Sequence, residues 1–501
     1  MKTLLSLDVG TTNVKAILFD SQGKPLAMSK VALGSYHSPE PGWSEQDPLH
    51  FWDVLAEACQ KLWTNRDVDR STIQGVAITT QRATVINVDK RGNALRPAMT
   101  WMDNRRTEGL PPVGGAWGLL FMLAGLSEAI LNLQAQAEAN WIKKFQPEVW
   151  QGTHKFLLLS GYLNYKLSGK FVDSVGSQVG YIPFDYKRHA WASKSDWKWK
   201  AIPVQSEMLP ELFPCGQKLG EISAEASQKT GIPQGLALIA AAADKACEVL
   251  GSGCLDPSQA SLSFGTSATV NVSNRKYVEL HHYLPPYPAA FPHGYNNEYQ
   301  IFKGFWMVEW FSEQFGVPLA ELENLLTDRT PGSLGLILDP YWSPGLTLAE
   351  SSARGAIIGF KDFHRKEHIY QALLEGLIFR LRLGMETIQK TNKVLVKSLR
   401  VSGGGSQSDA ALQITADVFG IPASRPHLYE TTSLGAAINI AVACGVYKDY
   451  PAAVHAMTRV GKTFTPDLKA HAIYDELYTK VYKKILKKLL PLYQELDRIL
   501  K

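Results

Sequence analysis

The chain has 501 residues, and at roughly 150 residues per domain this length excludes a single small module. With 45% hydrophobic, 10% aromatic and 20% charged residues, the composition is that of a folded globular protein and excludes general disorder. The net charge of +5, from 52 basic and 47 acidic residues, is too small to argue for a nucleic-acid or membrane-surface protein.

An antiparallel hairpin is predicted at the start of the chain. Residues 4–8 have a short apolar strand pattern, residues 10–13 (GTTN) form a turn, and residues 14–19 are strand-like again. A Rossmann fold or a P-loop would need its glycine turn to lead into a helix, and neither GxxxxGK[ST] nor a complete GxGxxG occurs in the sequence. Both common nucleotide folds are therefore poor fits.

A helix and a buried strand follow the hairpin. Helical periodicity covers residues 48–63, and residues 73–79 have the pattern of a buried strand that ends at Thr80-Gln81-Arg82-Ala83. A mostly helical stretch is predicted from 119 to 167. The apolar run 117–126 is shorter than the roughly 20 residues of a membrane span, so we expect a buried helix or a contact patch there.

The second half of the chain restarts the pattern of the first. Small residues at 236–243 end at Asp244, and a strand at 260–264 leads through Gly265-Thr266-Ser267 into another strand at 268–272. The repeated order of strand, Gly-Thr turn and strand predicts duplicated domains that face each other across a cleft. We place the division at residue 247, with one domain at 1–247 and the other at 248–501.

Three consecutive glycines mark the C-terminal half. A strand at 399–402 enters Gly403-Gly404-Gly405, and a helix is predicted for Asp409–Phe419. The tail from 474 to 501 is predicted to be an amphipathic helix, with one face formed by residues 478, 482, 485, 489, 496 and 500. We expect it to pack against the protein, with a partner helix as the alternative.

The two Gly-Thr turns are suited to binding phosphate oxygens. Each turn offers backbone N–H groups and hydroxyls, although each one taken singly also fits an ordinary tight turn. The three glycines would let a charged group approach the backbone, and the following helix would direct the positive end of its dipole at that group. Together these features favour an adenosine phosphate as ligand.

Two aspartates stand at positions suited to phosphate chemistry. Asp8 ends the first strand beside the first turn, where a carboxylate would bind Mg²⁺ through water. Asp244 follows a run of alanines, so we expect burial to raise its pKa and to fit it for accepting a proton from a hydroxyl. A helix N-cap is the alternative role of Asp244, and the two roles are compatible.

Seven motifs in this order resemble those of the FGGY carbohydrate kinases, and the resemblance covers nearly the whole chain. The motifs are LDVGTTNVK at 7–15, GWSEQDP at 42–48, TTQR at 79–82, WMDNR at 101–105, FGTS at 264–267, ARG at 353–355 and GGG at 403–405. The resemblance implies an α/β protein with two RNase H-like domains, of the actin, hexokinase and Hsp70 superfamily, that flank a catalytic cleft. It also implies that residues 1–247 hold the sugar and residues 248–501 hold ATP.

The resemblance assigns roles to residues in both halves. Asp244 would be the general base that deprotonates the attacking hydroxyl, and Asp8 would organise Mg²⁺. The implied substrate-binding residues are Gln81, Arg82, Ala83, Trp101, Asp103, Asp244 and Lys245. The residues implied to contact the transferring phosphate or the nucleotide are Thr11, Thr12, Asn13, Lys15, Thr266, Gly304, Gly403, Gly404, Gly405 and Ser408.

Two substitutions relative to the family pattern bear on the substrate. Glycerol kinases have a polyol-binding glutamate where this chain has Ala83, and Lys245 stands where Gln or Asn is common. We therefore expect a ketose or polyol larger than glycerol, such as the pentuloses xylulose and ribulose, with a keto or acidic group at Arg82 or Lys245. Alternatively, Lys245 pairs with a nearby acid such as Glu248. Glycerol, a sugar acid, and a non-catalytic nucleotide-gated binding protein remain open readings.

The five cysteines are odd in number and scattered and form no CxxC pair, which argues against a disulfide framework or a zinc site. We expect reduced thiols in a cytoplasm, and the N-terminus reaches Asp8 before the apolar core of a secretory signal could form. The expected partners are the sugar and ATP, with no nucleic acid and no membrane, and a homodimer is left open.

Overall fold

The computed structural model of the chain describes residues 2–280, 284–326, 330–343 and 352–500. It divides into two compact units. Unit 1 comprises Met1–Gly251, Tyr287–Tyr295 and Glu430–Thr458, and unit 2 comprises Ser252–Pro286, Asn296–Tyr429 and Arg459–Lys501. The chain thus returns to unit 1 twice after residue 251. The two units therefore do not correspond to a single division of the sequence.

The described residues form strands in both units. In chain order they are β1 (Thr3–Val9), β2 (Asn13–Asp20), β3 (Pro25–Ala32), β4 (Glu45–Gln46), β5 (Ile73–Thr80), β6 (Val85–Val88), β7 (Ala98–Met99), β8 (Lys155–Leu158), β9 (Val172–Ser174), β10 (Phe184–Asp185), β11 (Ala190–Trp191), β12 (Glu211–Phe213), β13 (Lys218–Glu221), β14 (Ala237–Ile239), β15 (Gln259–Phe264), β16 (Ala268–Asn274), β17 (Tyr287–Pro288), β18 (Tyr295–Ile301), β19 (Ile337–Asp339), β20 (Ala356–Ile358), β21 (Ser398–Ser402), β22 (Ala423–Pro426) and β23 (Val460–Phe464).

The same residues form α-helices of very different lengths. They are α1 (Pro48–Leu62), α2 (Gly115–Leu123), α3 (Ser127–Gln136), α4 (Glu138–Phe145), α5 (Pro147–Gly152), α6 (Leu159–Ser168), α7 (Lys198–Ala201), α8 (Ala224–Thr230), α9 (Asp244–Gly251), α10 (Trp306–Phe315), α11 (Lys366–Asn392), α12 (Asp409–Phe419), α13 (Thr431–Ala443), α14 (Tyr450–Met457), α15 (Leu468–Leu477) and α16 (Lys483–Leu500). Short 3₁₀ helices include Gly404–Gln407.

The main sheet of unit 1 has the strand order β13-β14-β5-β1-β2-β3. Strand β1 pairs antiparallel with β2 and parallel with β5, so the predicted hairpin is confirmed. Every residue of β1 is buried, because a central strand covered on both faces needs a nearly continuous apolar sequence. The register sets Asp8 opposite Lys15 on β2 and opposite Thr79 on β5.

The sheet of unit 2 repeats this arrangement, with β18-β16-β15-β21-β22-β23 in order. Strand β15 pairs antiparallel with β16 and parallel with β21. The predicted strands at 260–264, 268–272 and 399–402 and the predicted helix Asp409–Phe419 are confirmed. The Gly265-Thr266-Ser267 turn and the three glycines therefore follow neighbouring strands.

Two predicted helices differ from expectation. In α2, Phe121 is buried, but Leu119, Leu120, Met122 and Leu123 are 53–74% exposed, so a buried helix is wrong for this face and the contact patch stays a prediction. The tail is not continuous α-helix, since α15 and α16 are joined by the π-helical turn Tyr478–Tyr482. Its tyrosines pack in the core of unit 2, whereas Leu496 and Leu500 are exposed. Within the described ranges, no helix combines the length and apolarity needed to cross a membrane.

Candidate active site

The first Gly-Thr turn joins β1 to β2 in unit 1. The backbone N–H of Gly10 donates to the Asn13 carbonyl at 3.0 Å, and the N–H of Leu33 donates to the Thr12 carbonyl at 2.8 Å. The Asn13 amide donates to the Thr12 hydroxyl at 2.9 Å on the exposed surface of the turn. The backbone of the turn is therefore fixed, while the Thr12 hydroxyl and the Asn13 amide stay at the surface, where a phosphate could meet them.

Thr11 connects this turn to two predicted substrate residues. Its hydroxyl donates to Gln81 Oε1 at 3.1 Å and accepts from the Trp101 indole N–H at 3.0 Å. The Tyr36 hydroxyl donates to the Thr11 carbonyl at 2.7 Å. Thr11, Gln81 and Trp101 were each assigned from separate motifs, and the structure brings the three together.

Lys15 lies among carboxylates beside the turn. Its ammonium is 2.5 Å from Glu430 Oε2 and 3.9 Å from Asp8 Oδ2. Burial alone would lower the Lys15 pKa, but Asp8 and Glu430 outweigh that effect, and the pKa is raised. Lys15 is therefore a cation at the position where the resemblance expects it to meet a phosphate.

Asp8 is buried at the end of β1 and has spare capacity to accept hydrogen bonds. Burial raises its pKa to about 7, against the opposing effect of Lys15. The Ser433 hydroxyl donates to Asp8 Oδ2 over a long 3.4 Å. Within the described ranges, no group of three or more His, Cys, Asp or Glu residues is arranged to hold a metal ion directly. A carboxylate that keeps free lone pairs beside this one long hydrogen bond fits a hydrated Mg²⁺, which keeps most of its waters.

Asp244 is the first residue of α9, after the buried alanines 240–243. Burial raises its pKa, while the positive charges of Arg82 and Lys245 oppose that rise. One carboxylate oxygen accepts the backbone N–H of Lys245 at 2.7 Å. The predicted desolvation of Asp244 is confirmed, and a carboxylate whose pKa is raised in this way is suited to accept a proton.

Lys245 and Arg82 differ in their surroundings. The Lys245 ammonium pairs with the buried Glu248 at 2.8 Å, which is the alternative that the sequence left open. The Arg82 guanidinium lies over the Tyr287 ring, 5.1 Å from its centroid. Ala83 has a positive φ of 50°, an unusual backbone conformation for alanine at the end of a strand. Lys245, one of the two cations near Asp244, is thus paired with a carboxylate of its own helix, α9.

Asp103 has a different environment from the one expected of a sugar ligand. Its oxygens accept two hydrogen bonds from the Arg105 guanidinium at 2.6 and 2.8 Å, and also the backbone N–H groups of Ser44 and Arg105. The Asp103 side chain is only 2% exposed. Four donors already surround this carboxylate, so in this structure it holds the 42–48 and 101–105 motifs together.

In unit 2, Gly304 fastens the second Gly-Thr turn by backbone contact. Its N–H donates to the Thr266 carbonyl at 2.8 Å, and the next N–H, of Phe305, donates to the Gly265 carbonyl at 3.0 Å. A Cβ on Gly304 would lie 2.1 Å from the Ala268 nitrogen. Glycine is therefore required here by close packing of the backbone, independently of any ligand.

The three glycines of unit 2 have different reasons to be glycine. Gly403 has φ of +85° and packs on the Phe264 backbone, and a Cβ on Gly405 would lie 2.3 Å from the Phe305 ring. A Cβ on Gly404 would have no heavy atom of the described residues within 4 Å. Of the three, Gly404 is thus the one whose missing side chain the packing leaves unexplained.

Ser408 follows the glycines as the N-cap of α12. Its hydroxyl accepts the Ala411 N–H at 3.0 Å and donates to Glu323 at 2.6 Å. The 3₁₀ helix Gly404–Gln407 includes two of the three glycines, and α12 begins at Asp409, as predicted. The 3₁₀ geometry places the Gly405 carbonyl to accept the Ser408 N–H.

Sequence reasoning missed Glu430 and Ser433, which reach Lys15 and Asp8 from the N-terminal end of α13. They are 415 and 425 residues from their partners, so no local pattern connects them. The available signal was a glutamate at the start of a small-residue helix, which alone indicates only a helix terminus. Tyr287, which lies under Arg82, was missed for the same reason of sequence distance.

Two family models match most of the chain. The N-terminal domain of the FGGY family of carbohydrate kinases matches residues 3–251, and the C-terminal domain of that family matches residues 260–444. A xylulose kinase from Lactococcus lactis is 27% identical over 494 residues, which cover 95% of each chain. A glycerol kinase from Alkaliphilus metalliredigens is 26% identical over 89% of this chain and 91% of its own.

Solved structures share the fold over almost the whole length. A xylulose kinase from Lactobacillus acidophilus gives a TM-score of 0.86 at 22% identity, over 99% of this chain and 100% of that one. A gluconate kinase from the same organism gives 0.85 at 22% identity, over 99% of both chains. The predicted α/β fold with two RNase H-like domains is confirmed by these likenesses.

Proposed function

Because the chain belongs to the FGGY family of carbohydrate kinases, we propose that it transfers phosphate from ATP to a hydroxyl of a pentulose, with Asp244 as the general base. The activity class follows from the family: the protein is an ATP-dependent carbohydrate kinase. The sugar, the base and the metal belong to the proposal.

The observation that carries the mechanism is the position of Asp244 at the head of α9. Its burial disfavours the negative charge, so the carboxylate gains by accepting the proton of an attacking hydroxyl. The positive charges of Arg82 and Lys245 oppose this rise in the Asp244 pKa and so favour the ionised form that acts as a base. As the substrate oxygen attacks the terminal phosphorus, its proton passes to Asp244, and ADP leaves.

Asp8, with its free lone pairs, is the residue that would hold Mg²⁺ through water. When bound, the ion would neutralise charge on the phosphates during transfer. Lys15, Thr11, Thr12 and Asn13 would meet the transferring phosphate, because this turn presents an ammonium, hydroxyls and an amide. These groups stabilise negative charge without taking part in a covalent step.

Nucleotide binding is proposed for unit 2. Gly404 supports this, since its missing side chain leaves open space beside the backbone between two glycines that packing explains. Thr266, Gly304 and Ser408 support nucleotide binding less directly. The Gly304 N–H donates to the Thr266 carbonyl and the Ser408 hydroxyl donates to Glu323, so these residues already have partners within the protein. We propose that the phosphates and adenosine of ATP approach the backbone at Gly404.

Four observations support a pentulose. Ala83 offers no carboxylate to a polyol, and Arg82 leaves a cation near Asp244 that suits a keto oxygen. The Lactococcus lactis relative is named a xylulose kinase. The pairing of Lys245 with Glu248 removes one of the two cations that would favour a sugar acid.

A coupled assay of ADP release would test the substrate. We expect turnover with xylulose or ribulose at least about tenfold above that with glycerol or gluconate, a difference of roughly 1.4 kcal/mol in transition-state binding. Activity confined to glycerol would overturn the pentulose assignment, and activity confined to gluconate would favour the sugar acid instead.

The remaining expectations concern context. The matched family consists of carbohydrate kinases, which argues against a non-catalytic nucleotide-gated binding protein. A cytoplasmic location stays a proposal, in keeping with the five cysteines, all of which are free thiols. The domain roles, with sugar bound by 1–247 and ATP by 248–501, and a homodimer are likewise proposals.

A further inference from the structure

The N-terminal end of α13 supplies two side chains, from the N-cap Glu430 and from Ser433, to the phosphate-loop residues of unit 1. Glu430 Oε2 lies 2.5 Å from the Lys15 ammonium, and the Ser433 hydroxyl donates to Asp8 at 3.4 Å. Both contacts join residues more than 400 positions apart. They exist because the chain re-enters unit 1 at Glu430.

Glu430 is at the N-cap position of α13 but does not cap the helix. Its side chain makes no hydrogen bond to the first backbone N–H groups, which Ser, Thr, Asp or Asn would satisfy at this position. The carboxylate is bound to Lys15 instead. A residue that stabilised only the helix would be chosen differently, so the ion pair is the better explanation for a glutamate here.

Lys15 has two carboxylates within reach, at unequal distances. Glu430 is at 2.5 Å and Asp8 at 3.9 Å. The two compete for one ammonium, and all three side chains are mostly buried, so little water screens the competition. If Glu430 were absent, Asp8 would be the nearest partner, and an ammonium bound there would neutralise the carboxylate that Mg²⁺ needs.

The start of α13 is held in place by α9, the helix that begins with Asp244. A Cβ on Gly435 would lie 2.0 Å from the Cys247 carbonyl oxygen, and one on Gly251 would lie 1.9 Å from the Thr431 carbonyl oxygen. The two helices therefore meet backbone to backbone at both glycines. This contact fixes the origin of the Glu430 side chain relative to the helix that carries the proposed base.

We propose that Glu430 is a positioning residue for phosphoryl transfer. It holds the Lys15 ammonium off Asp8, so that Lys15 stays available to the transferring phosphate and Asp8 to Mg²⁺. The inference rests on the proposed function, in which these two residues have those roles.

Two substitutions separate positioning from helix capping. Glu430→Gln keeps the shape and removes the charge, while Glu430→Asp keeps the charge on a side chain one methylene too short for Lys15 but well suited to an N-cap. We expect kcat to fall about 10- to 100-fold in both, with the sugar KM within about twofold of the wild-type value. The melting temperature of Glu430→Asp should equal or exceed that of the wild type, because aspartate caps the helix. If Glu430 had only a structural role, a variant this stable would not turn over slowly.

A binding measurement complements the kinetics. Calorimetry of ADP binding, with and without Mg²⁺, should show that Mg²⁺ strengthens binding less in Glu430→Gln than in the wild type. In turnover assays, the half-saturating Mg²⁺ concentration should rise at least about threefold, because Lys15 then competes with the ion for Asp8. Wild-type kcat together with wild-type Mg²⁺ dependence in Glu430→Gln would overturn the inference.

A double-mutant cycle with Lys15→Gln assigns any failure. The double variant should be no slower than Lys15→Gln alone, because Glu430 acts through Lys15; additive losses would overturn the inference. If Lys15→Gln itself turned over normally, the proposed role of Lys15 would fail, which is a different result. Glu57→Gln, in a surface pair with Lys61 on α1, is the matched control and should behave as wild type.

Discussion

Backbone hydrogen bonds hold both Gly-Thr turns, but the turn of unit 1 is also surrounded by side-chain bonds. Side chains surround the turn of unit 1: Thr11 bonds Gln81 and Trp101, and Lys15 bonds Glu430. Backbone N–H groups from residues 304 and 305 fasten the turn of unit 2. Charged side chains can exchange partners when a phosphate arrives, whereas a backbone contact keeps its shape. The first turn is thus suited to chemistry and the second to presenting a fixed surface.

Removing the base should have the largest effect. Asp244→Asn keeps the shape of the side chain and removes its ability to accept a proton, so kcat should fall by roughly 10²- to 10⁴-fold. Calorimetry should find ADP binding unchanged. Asp53→Asn, in a surface pair with Lys229, is the control. Unchanged turnover in Asp244→Asn would refute its role as base.

Gly304→Ala tests the claim that close backbone packing requires glycine at position 304. The new Cβ would meet the Ala268 nitrogen at 2.1 Å, so the backbone must shift. We expect a loss of about 1–3 kcal/mol in the free energy of unfolding, measured in urea. Gly114→Ala, where the Cβ has open space and φ is negative, should change this quantity little. Equal stability of the two variants would contradict the packing argument.

Buried carboxyls extend the contrast between the units. Glu375 in unit 2 accepts hydrogen bonds from Gly332, Ser333, Gln371 and Tyr474. In unit 1, Glu138 Oε2 is buried with no hydrogen-bond partner among the described residues. Burial raises the Glu138 pKa from 4.5 to about 8.

The raised pKa predicts how stability depends on pH. Between about pH 4.5 and 8 the folded state keeps a proton on Glu138 that the unfolded state has lost, so the free energy of unfolding falls as pH rises through this window. Glu138→Gln should remove that fall and be the more stable protein at pH 8.5. Glu375→Gln should lose stability at both pH 5 and pH 8.5, since an amide cannot accept all four donors. Parallel pH profiles for wild type and Glu138→Gln would contradict this.

The smallest effect is expected at Gly404. Gly404→Ala adds a methyl group into open space, so the free energy of unfolding should change by less than about 0.5 kcal/mol. The KM for ATP should rise about threefold or more if the nucleotide approaches this backbone. Gly403→Ala, which forces a side chain onto a positive φ, should instead lose stability. An unchanged ATP KM would remove the support that Gly404 gives to the proposed nucleotide site.

The sequence was informative where the signal is local. The hairpin at 3–20, the strand at 73–80 and the helix Asp409–Phe419 follow from periodicity and turn residues, and their positions were predicted closely. The residues missed, Glu430 and Tyr287, act across hundreds of positions. Their roles depend on which strands and helices become neighbours, which periodicity does not encode.

The same limit explains the helix α2. Its apolar composition predicted a buried helix or a contact patch, and burial depends on whether another element covers each face. Phe121 stacks beside Trp117 and meets Trp197, while the leucines on the other side face outward. Composition indicates that a segment is apolar, and only the tertiary arrangement decides which face is covered.

The late return of the chain to unit 1 has a consequence for biosynthesis. Helix α13 packs against β1, β5 and α9, yet its residues leave the ribosome after some 430 others. Until then, the central sheet of the first unit lacks one of its covering helices and has an exposed apolar face, a state prone to aggregation. Unit 1 is therefore complete only after residues 430–458 have been synthesised, and a fragment of residues 1–251 would lack this covering helix.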